Sequence, residues 1–191
     1  MPELPEVETV RRGLEVVTLG QPIVGVEVLL ARSIAFPDQP QAFIEHLRDR
    51  SFAQWQRRGK YLLATLSDNS CLVIHLRMSG QLLWLTTPQP PCSHTRVRWF
   101  LQTGAELRFV DQRTFGRCWW LPADCPAEKR IPSLATLAPE PFSEAFTVEF
   151  LRERLGRCRR ALKTALLDQT IVAGMGNIYA DESLFLSGLH P

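Results

Sequence analysis

Apolar residues at Val7, Val10, Leu14 and Val17 recur at the spacing of one helical face, which predicts a helix over 5–19 that stops at Gly20. The period then changes to two. Val24, Val26 and Val28 alternate with their neighbours and predict a strand over 23–30. A short helix over 41–48 follows the Pro37–Pro40 turn region, with Ala42, Phe43 and Leu47 apolar. Strands are expected over 51–56, 61–66, 71–76, 81–85, 97–101, 105–110 and 118–121, punctuated by Asp68-Asn69, Ser79-Gly80, Pro88 to Pro91 and Thr103-Gly104. Many short strands at this spacing indicate an antiparallel sandwich or barrel. Five prolines over 122–142 read as a linker or boundary. Beyond it the pattern is helical: Thr147 caps a helix that Gly156 ends, a second helix covers 159–167, and a third runs 177–186. The expected class is α+β, with a β-sandwich and flanking helices over 1–131 and a helical domain over 132–191.

Composition narrows the picture only slightly. Hydrophobic residues at 45% over 191 positions suffice for a core, and a net charge of +2 does not by itself indicate a nucleic-acid partner. No apolar run is long enough to span a membrane, and the acidic start lacks a signal-peptide core, so a cytoplasmic protein is expected. Five cysteines, at 71, 92, 118, 125 and 158, form no Cys-x-x-Cys pair and no zinc spacing. They are expected to be reduced and mostly core filler.

The chemistry concentrates at the start, Met-Pro-Glu-Leu-Pro-Glu-Val-Glu. With Met1 removed, Pro2 is a free secondary amine beside the Glu3 carboxylate. An α-amino group titrates near 7.7–8.0 and a lysine near 10.4, so roughly a tenth of the former is neutral at pH 7, against about one in two thousand of the latter. A secondary amine condenses to a charged iminium, an electron sink, and Glu3 is placed to move protons at the same carbon. The ordinary reading of such a start is that Pro2 and Pro5 merely open a helix, with Glu6 and Glu8 at the positive end of its dipole.

That reading gives way to a resemblance. The stretch from Met1 through Arg11-Arg12-Gly13-Leu14 resembles the start of bacterial formamidopyrimidine-DNA glycosylases, and Gly-Met-Gly-Asn-Ile-Tyr-Ala-Asp-Glu-Ser-Leu-Phe over 174–185 is a second long match. The resemblance implies that Pro2 and Glu3 are catalytic and that Lys60, in Arg57-Arg58-Gly59-Lys60, grips phosphate or damaged nucleotide near Pro2. A solvated turn is the ordinary reading of that basic run, and phosphate contact the functional one. It further implies that Met78, Arg113 and Phe115 fill the hole left when a base is extruded, which is chemistry suited to an apolar wedge and a donor fork. Gln112 and Thr114 depart from the proline and arginine common there. His94 is implied to contact DNA backbone, Lys163 to contact phosphate, and Asn177 to bind a phosphate flanking the lesion at a glycine-rich helix N-terminus. The arginines over 152–160 read equally as a solvated helix face.

The implied architecture has a helix–two-turn–helix module beginning in 132–191, and the implied partner is duplex DNA holding oxidised bases or abasic sites, bound by a monomer without a membrane. The implied activity is excision of oxidised purines such as 8-oxoguanine and formamidopyrimidines. Strand nicking (AP-lyase action) follows through a Pro2 iminium. Family members continue past the position of Pro191 into a four-cysteine finger carrying one structural zinc. Such a finger is absent here, so the stretch reads as a fragment or a truncated product, and no cofactor or metal site is expected in it. Three other readings compete. An endonuclease VIII-type enzyme for oxidised pyrimidines is disfavoured by Leu4. A DNA-binding fragment without catalysis would follow from the missing finger. An N-terminal-proline enzyme acting on small keto acids is disfavoured by Met78, Arg113, Phe115 and 174–185.

Overall fold

The first helix, α1 (Leu4–Thr18), begins where Pro5 fits its first turn and where the Glu6 carboxylate accepts the Glu3 N–H at 2.9 Å. Val7 and Leu14 on its inner face are buried. A computed structural model describes residues 1–87 and 89–191, so Pro88, part of the expected turn over 88–91, lies outside the described residues. After α1 come β1 (Ile23–Val28), β2 (Ile34–Phe36), α2 (Pro40–Leu47), β3 (Phe52–Arg58), β4 (Tyr61–Leu66), β5 (Cys71–His75), β6 (Gly80–Leu85), β7 (Thr95–Leu101), β8 (Glu106–Asp111) and β9 (Arg117–Leu121).

The strands form a four-stranded sheet ordered β1-β7-β8-β6 and a five-stranded sheet ordered β2-β9-β5-β4-β3. One apolar cluster joins the two sheets to α1 and α2. It holds Trp55, Leu62, Ile74, Trp99, Phe109 and Cys118. The expected sandwich is therefore present, with one departure: β2 pairs with β9 in parallel, Ile34 opposite Cys118. Three residues are too few for an alternation to show, so β2 leaves no periodic trace in the sequence.

The proline-rich stretch over 122–142 is not a plain linker. It holds two short helices, α3 (Ala127–Arg130) and α4 (Pro132–Ala135), whose Ile131 and Leu134 pack with Tyr61, Val73 and Leu121 on the outer face of the five-stranded sheet. Prolines at helix starts explain why a composition that looks like a spacer can fold. The helical part then comprises α5 (Val148–Gly156), capped by Thr147 through the Phe150 N–H, α6 (Leu162–Leu166) and α7 (Asn177–Leu186). The second expected helix is shorter than its pattern: Arg159 and Arg160 precede it, and Arg160 pairs with Asp168 at 2.6 Å. Among the described residues, no helix is long and apolar enough to cross a membrane.

One ion network binds α1 to the sheet. Glu8 meets Arg11, Arg12 and Arg57 at 2.9–3.1 Å, and these guanidiniums, Arg11 first, hold its carboxyl down at about 2 from the usual 4.5. A depressed folded-state pKa stabilises above the unfolded value, and that stability is lost as pH falls from about 4.5 through about 2. Glu8→Gln should therefore melt lower than the parent at pH 7, and the difference should close by pH 2, read by thermal melts across that window.

Candidate active site

The N-terminal segment and the start of α7 meet at Glu3. Its side chain is buried, 2% exposed, and accepts three backbone N–H groups from the start of α7: Gly176 at 2.8 Å, Ile178 at 2.9 Å and Tyr179 at 3.3 Å. Leu4 N–H donates to the Gly174 carbonyl at 3.0 Å, and the Tyr179 hydroxyl donates to Glu6 at 2.9 Å. Gly176 is required by space. A Cβ there would stand 2.3 Å from the Glu3 carboxyl carbon. Gly174 is required twice, by a φ of +88° and by Leu4, whose side chain a Cβ would meet at 2.6 Å. The extended segment through Pro2 is thus fixed from both sides, with Met1 exposed at its tip.

This changes the physical account of the glycine-rich turn. Three amides at the start of α7, those of Gly176, Ile178 and Tyr179, are occupied by Glu3. Asn177, exposed as the first residue of α7, is left with its side chain toward solvent.

Lys60 follows the tip of the β3–β4 hairpin, where Gly59 has a φ of +56°. It is nearly buried. Burial lowers its pKa, while the Glu3 charge pulls in the opposite direction. It lines a cavity of about 280 Å³ with Met1, His75, Arg77 and Gln169. Its two arginine neighbours are engaged within the protein. Arg57 is bidentate to Glu140 at 2.7 Å and reaches Glu8 at 3.1 Å, and Arg58 donates to the Leu137 and Ala138 carbonyls at 2.8 Å. Glu140 also accepts the Gly59 N–H at 2.6 Å. The basic run is a latch onto the segment entering the helical part. Its partner lies 83 residues away, which no local pattern could reveal.

His75 is the functional candidate that sequence reasoning passed over. Buried under Tyr61, with its Nδ1 accepting the Arg77 N–H at 3.0 Å, it is pushed down to about 3 by burial and by the Arg77 and Lys60 charges, so the ring is neutral at pH 7. The only signal was its position beside the turn containing Met78.

Strand register gathers the remaining residues. Tyr61 pairs with His75 and His75 with Arg117, so the Lys60 turn, the 76–79 turn and the 112–116 loop share one end of the five-stranded sheet. Buried Asp111 ties the last two together. Its carboxylate accepts the Ser79 hydroxyl at 2.5 Å and the Gly116 N–H at 2.7 Å, while Ser79 Oγ accepts the Arg113 N–H at 3.0 Å. Met78 and Phe115 are 44% and 47% exposed, and the Arg113 guanidinium lies 5.0 Å from the Phe115 ring centre. Thr114, left-handed at φ +58°, accepts from Arg32. His94 adjoins the loop: its carbonyl accepts the Asp111 N–H at 2.9 Å. Lys163 instead sits in the helical part, paired with Asp181 at 2.6 Å, so a phosphate would have to compete with that carboxylate. Arg152, Arg154 and Arg159 are exposed, and Arg157 pairs with Glu153 at 2.8 Å. The five cysteines are free thiols, and no grouping of three or more His, Cys, Asp or Glu among the described residues could hold a metal ion.

Comparison with known proteins places this geometry among relatives. Residues 1–118 match the family model described as the formamidopyrimidine-DNA glycosylase N-terminal domain, and residues 137–191 match that of the formamidopyrimidine-DNA glycosylase H2TH domain. The formamidopyrimidine-DNA glycosylases of Thermosynechococcus vestitus and Synechococcus elongatus are each 83% identical over 191 residues, covering all of this chain and 67% of the relative. That of Nostoc punctiforme is 56% identical over 194 residues, again covering 67% of its length. Among solved structures, a complex of Lactococcus lactis Fpg with DNA containing an abasic site superposes with a TM-score of 0.89 at 34% identity, covering 99% of this chain and 68% of that one. The wild-type L. lactis protein with DNA containing N7-benzyl-Fapy-dG gives 0.91 at 35%, covering 100% and 69%.

Proposed function

From the premise that the chain belongs to the formamidopyrimidine-DNA glycosylase family, we propose that it is the catalytic part of a base-excision repair enzyme acting on oxidised purines in duplex DNA. It works in the bacterial cytoplasm. Pro2, freed of Met1, attacks C1′ of the damaged nucleotide and displaces the base. The sugar ring opens as the C1′–O4′ bond breaks, leaving an iminium between Pro2 nitrogen and C1′. Glu3 handles protons at the sugar. A carboxylate has roughly four acceptor positions, and three N–H groups occupy three of them, so about one remains to face the substrate. The iminium acidifies the neighbouring sugar proton, and β- then δ-elimination nick the strand. Lys60 and Asn177 hold the flanking backbone, with His94 and Lys163 contributing at the periphery. Met78, Arg113 and Phe115 occupy the hole in the helix.

The observation that supports this most strongly is the burial of Glu3 against 176–179 beside the Lys60 cavity. It ties the amine end of the chain to the helix that Asn177 opens. The family also carries a structural zinc finger. None of the cysteines here is arranged for one, and no step above uses a metal.

The test is a duplex with a single 8-oxoguanine, given to the protein at its full encoded length. Release of the free base with a nick at the same site is expected, and an intact strand would overturn the reading. In the same assay Met78→Ala should slow excision by about 10–100-fold yet leave nicking at a preformed abasic site nearly unchanged, because no base remains to be extruded. Equal losses on both substrates would make Met78 a packing residue.

A further inference from the structure

Gln169 lies between α6 and α7, and its side-chain amide is spent entirely inside one loop. Nε2 donates to the Leu167 carbonyl at 3.0 Å and the Met175 carbonyl at 2.9 Å, while Oε1 accepts the Gly174 N–H at 2.9 Å. Its own main-chain carbonyl accepts the Ala138 N–H at 2.9 Å, which anchors it to the segment latched onto the Lys60 hairpin. The Met175 carbonyl and the Gly176 N–H are opposite ends of one planar peptide unit. One end is therefore gripped by Gln169 and the other donates to Glu3. Gly174 is held on both sides as well: its N–H donates to Gln169, and its carbonyl, in the next peptide unit, accepts the Leu4 N–H.

We propose that Gln169 is a positioning residue that sets the Glu3 carboxylate through the Met175–Gly176 peptide. Two physical effects combine. Donation to the Met175 carbonyl polarises the peptide and strengthens its N–H as a donor to Glu3. The three-point hold also fixes the angle of that peptide plane, where the glycine at 176 leaves the backbone free to rotate and the Glu3 side chain leaves no spare volume. The inference rests on the functional reading above in assigning Glu3 to base release, and its test has one arm that does not.

Gln169→Met keeps the volume and removes all three side-chain bonds. Gln169→Glu keeps an acceptor for Gly174 N–H but turns a carboxylate toward two carbonyls. The first arm is amide hydrogen exchange on the protein at its full encoded length. Both variants should speed exchange at Gly176 and Ile178 by about 10-fold or more, the cost of roughly one hydrogen bond, while the amides of β5 are unchanged. The second arm is kinetic. Excision of 8-oxoguanine should fall by about 10-fold or more, and borohydride trapping on an abasic duplex should stay within about threefold. Unchanged exchange at 176 and 178, or a rise spread equally over β5, would overturn the proposal. So would equal losses of excision and trapping, which would make Gln169 a general loop support. If the parent protein itself neither excises nor traps, the functional reading falls, while the exchange arm still decides whether Gln169 holds the turn on Glu3.

Discussion

Protein that retains Met1, or carries any N-terminal extension, is expected to form no borohydride-stable crosslink to an abasic duplex, whereas protein beginning at Pro2 crosslinks efficiently. With Pro2 as the attacking amine the loss should exceed about 100-fold, since an acylated Pro2 nitrogen cannot form an iminium. The structure makes this a sharp test. The N-terminal segment cannot retract to present another group, because Glu3 N–H is tied to Glu6 at 2.9 Å and Leu4 N–H to Gly174 at 3.0 Å. Efficient trapping by the blocked protein would move the nucleophile elsewhere. Lys60 would then be the amine to replace, because burial lowers its pKa and enlarges its neutral fraction beside the same cavity. Intact mass of the crosslinked peptide reads the outcome directly.

The second large effect is expected from adding one methyl group. Gly176→Ala places a carbon 2.3 Å from the Glu3 carboxyl carbon and 2.4 Å from its Oε1, so either Glu3 or the start of α7 must move. Because Gly176 has a φ of −129°, alanine is not strained there, and the whole effect is steric. Stability should drop by about 1–3 kcal/mol. Excision should fall by roughly 100-fold, as expected for an ångström-scale displacement of a reacting group. Gly13→Ala is the matched control. It sits in α1 with nothing within 4 Å of the added carbon and should stabilise by about 0.5–1 kcal/mol. Parent-like excision by Gly176→Ala would show that Glu3 needs no tight pocket. Thermal melts and single-turnover excision on the two variants separate the cases.

How far these features were legible from the chain depends on distance along it. α1 and α7 announce themselves through Pro5, Glu6, Gly20 and Gly176-Asn177, all local signals, and the run of short strands indicates the sandwich. Local rules failed where a partner was remote. Arg57 and Arg58 read as a solvated or phosphate-binding turn because nothing nearby points to Glu140. The helices over 127–135 were hidden behind prolines, because their stability comes from Tyr61 and Val73 beneath them. The residues of the candidate site were named from resemblance. What resemblance did not supply was their wiring: Glu3 on the amides of α7, Asp111 between the two loop turns, and a neutral His75 behind Lys60.

The bond between Glu3 and Gly176 spans 173 residues of sequence and so has a consequence in time. A chain synthesised at about 5–20 residues per second exposes Pro2 and Glu3 roughly 10–35 seconds before their partners exist. Contacts this far apart close last, after the loop-closure entropy of everything between has been met. During translation the segment through Pro2 lacks the Leu4–Gly174 bond and the Glu3 seat that fix it in the folded protein. Until residue 179 has been made, the Glu3 carboxylate lacks all three of the amides that hold it in the folded protein.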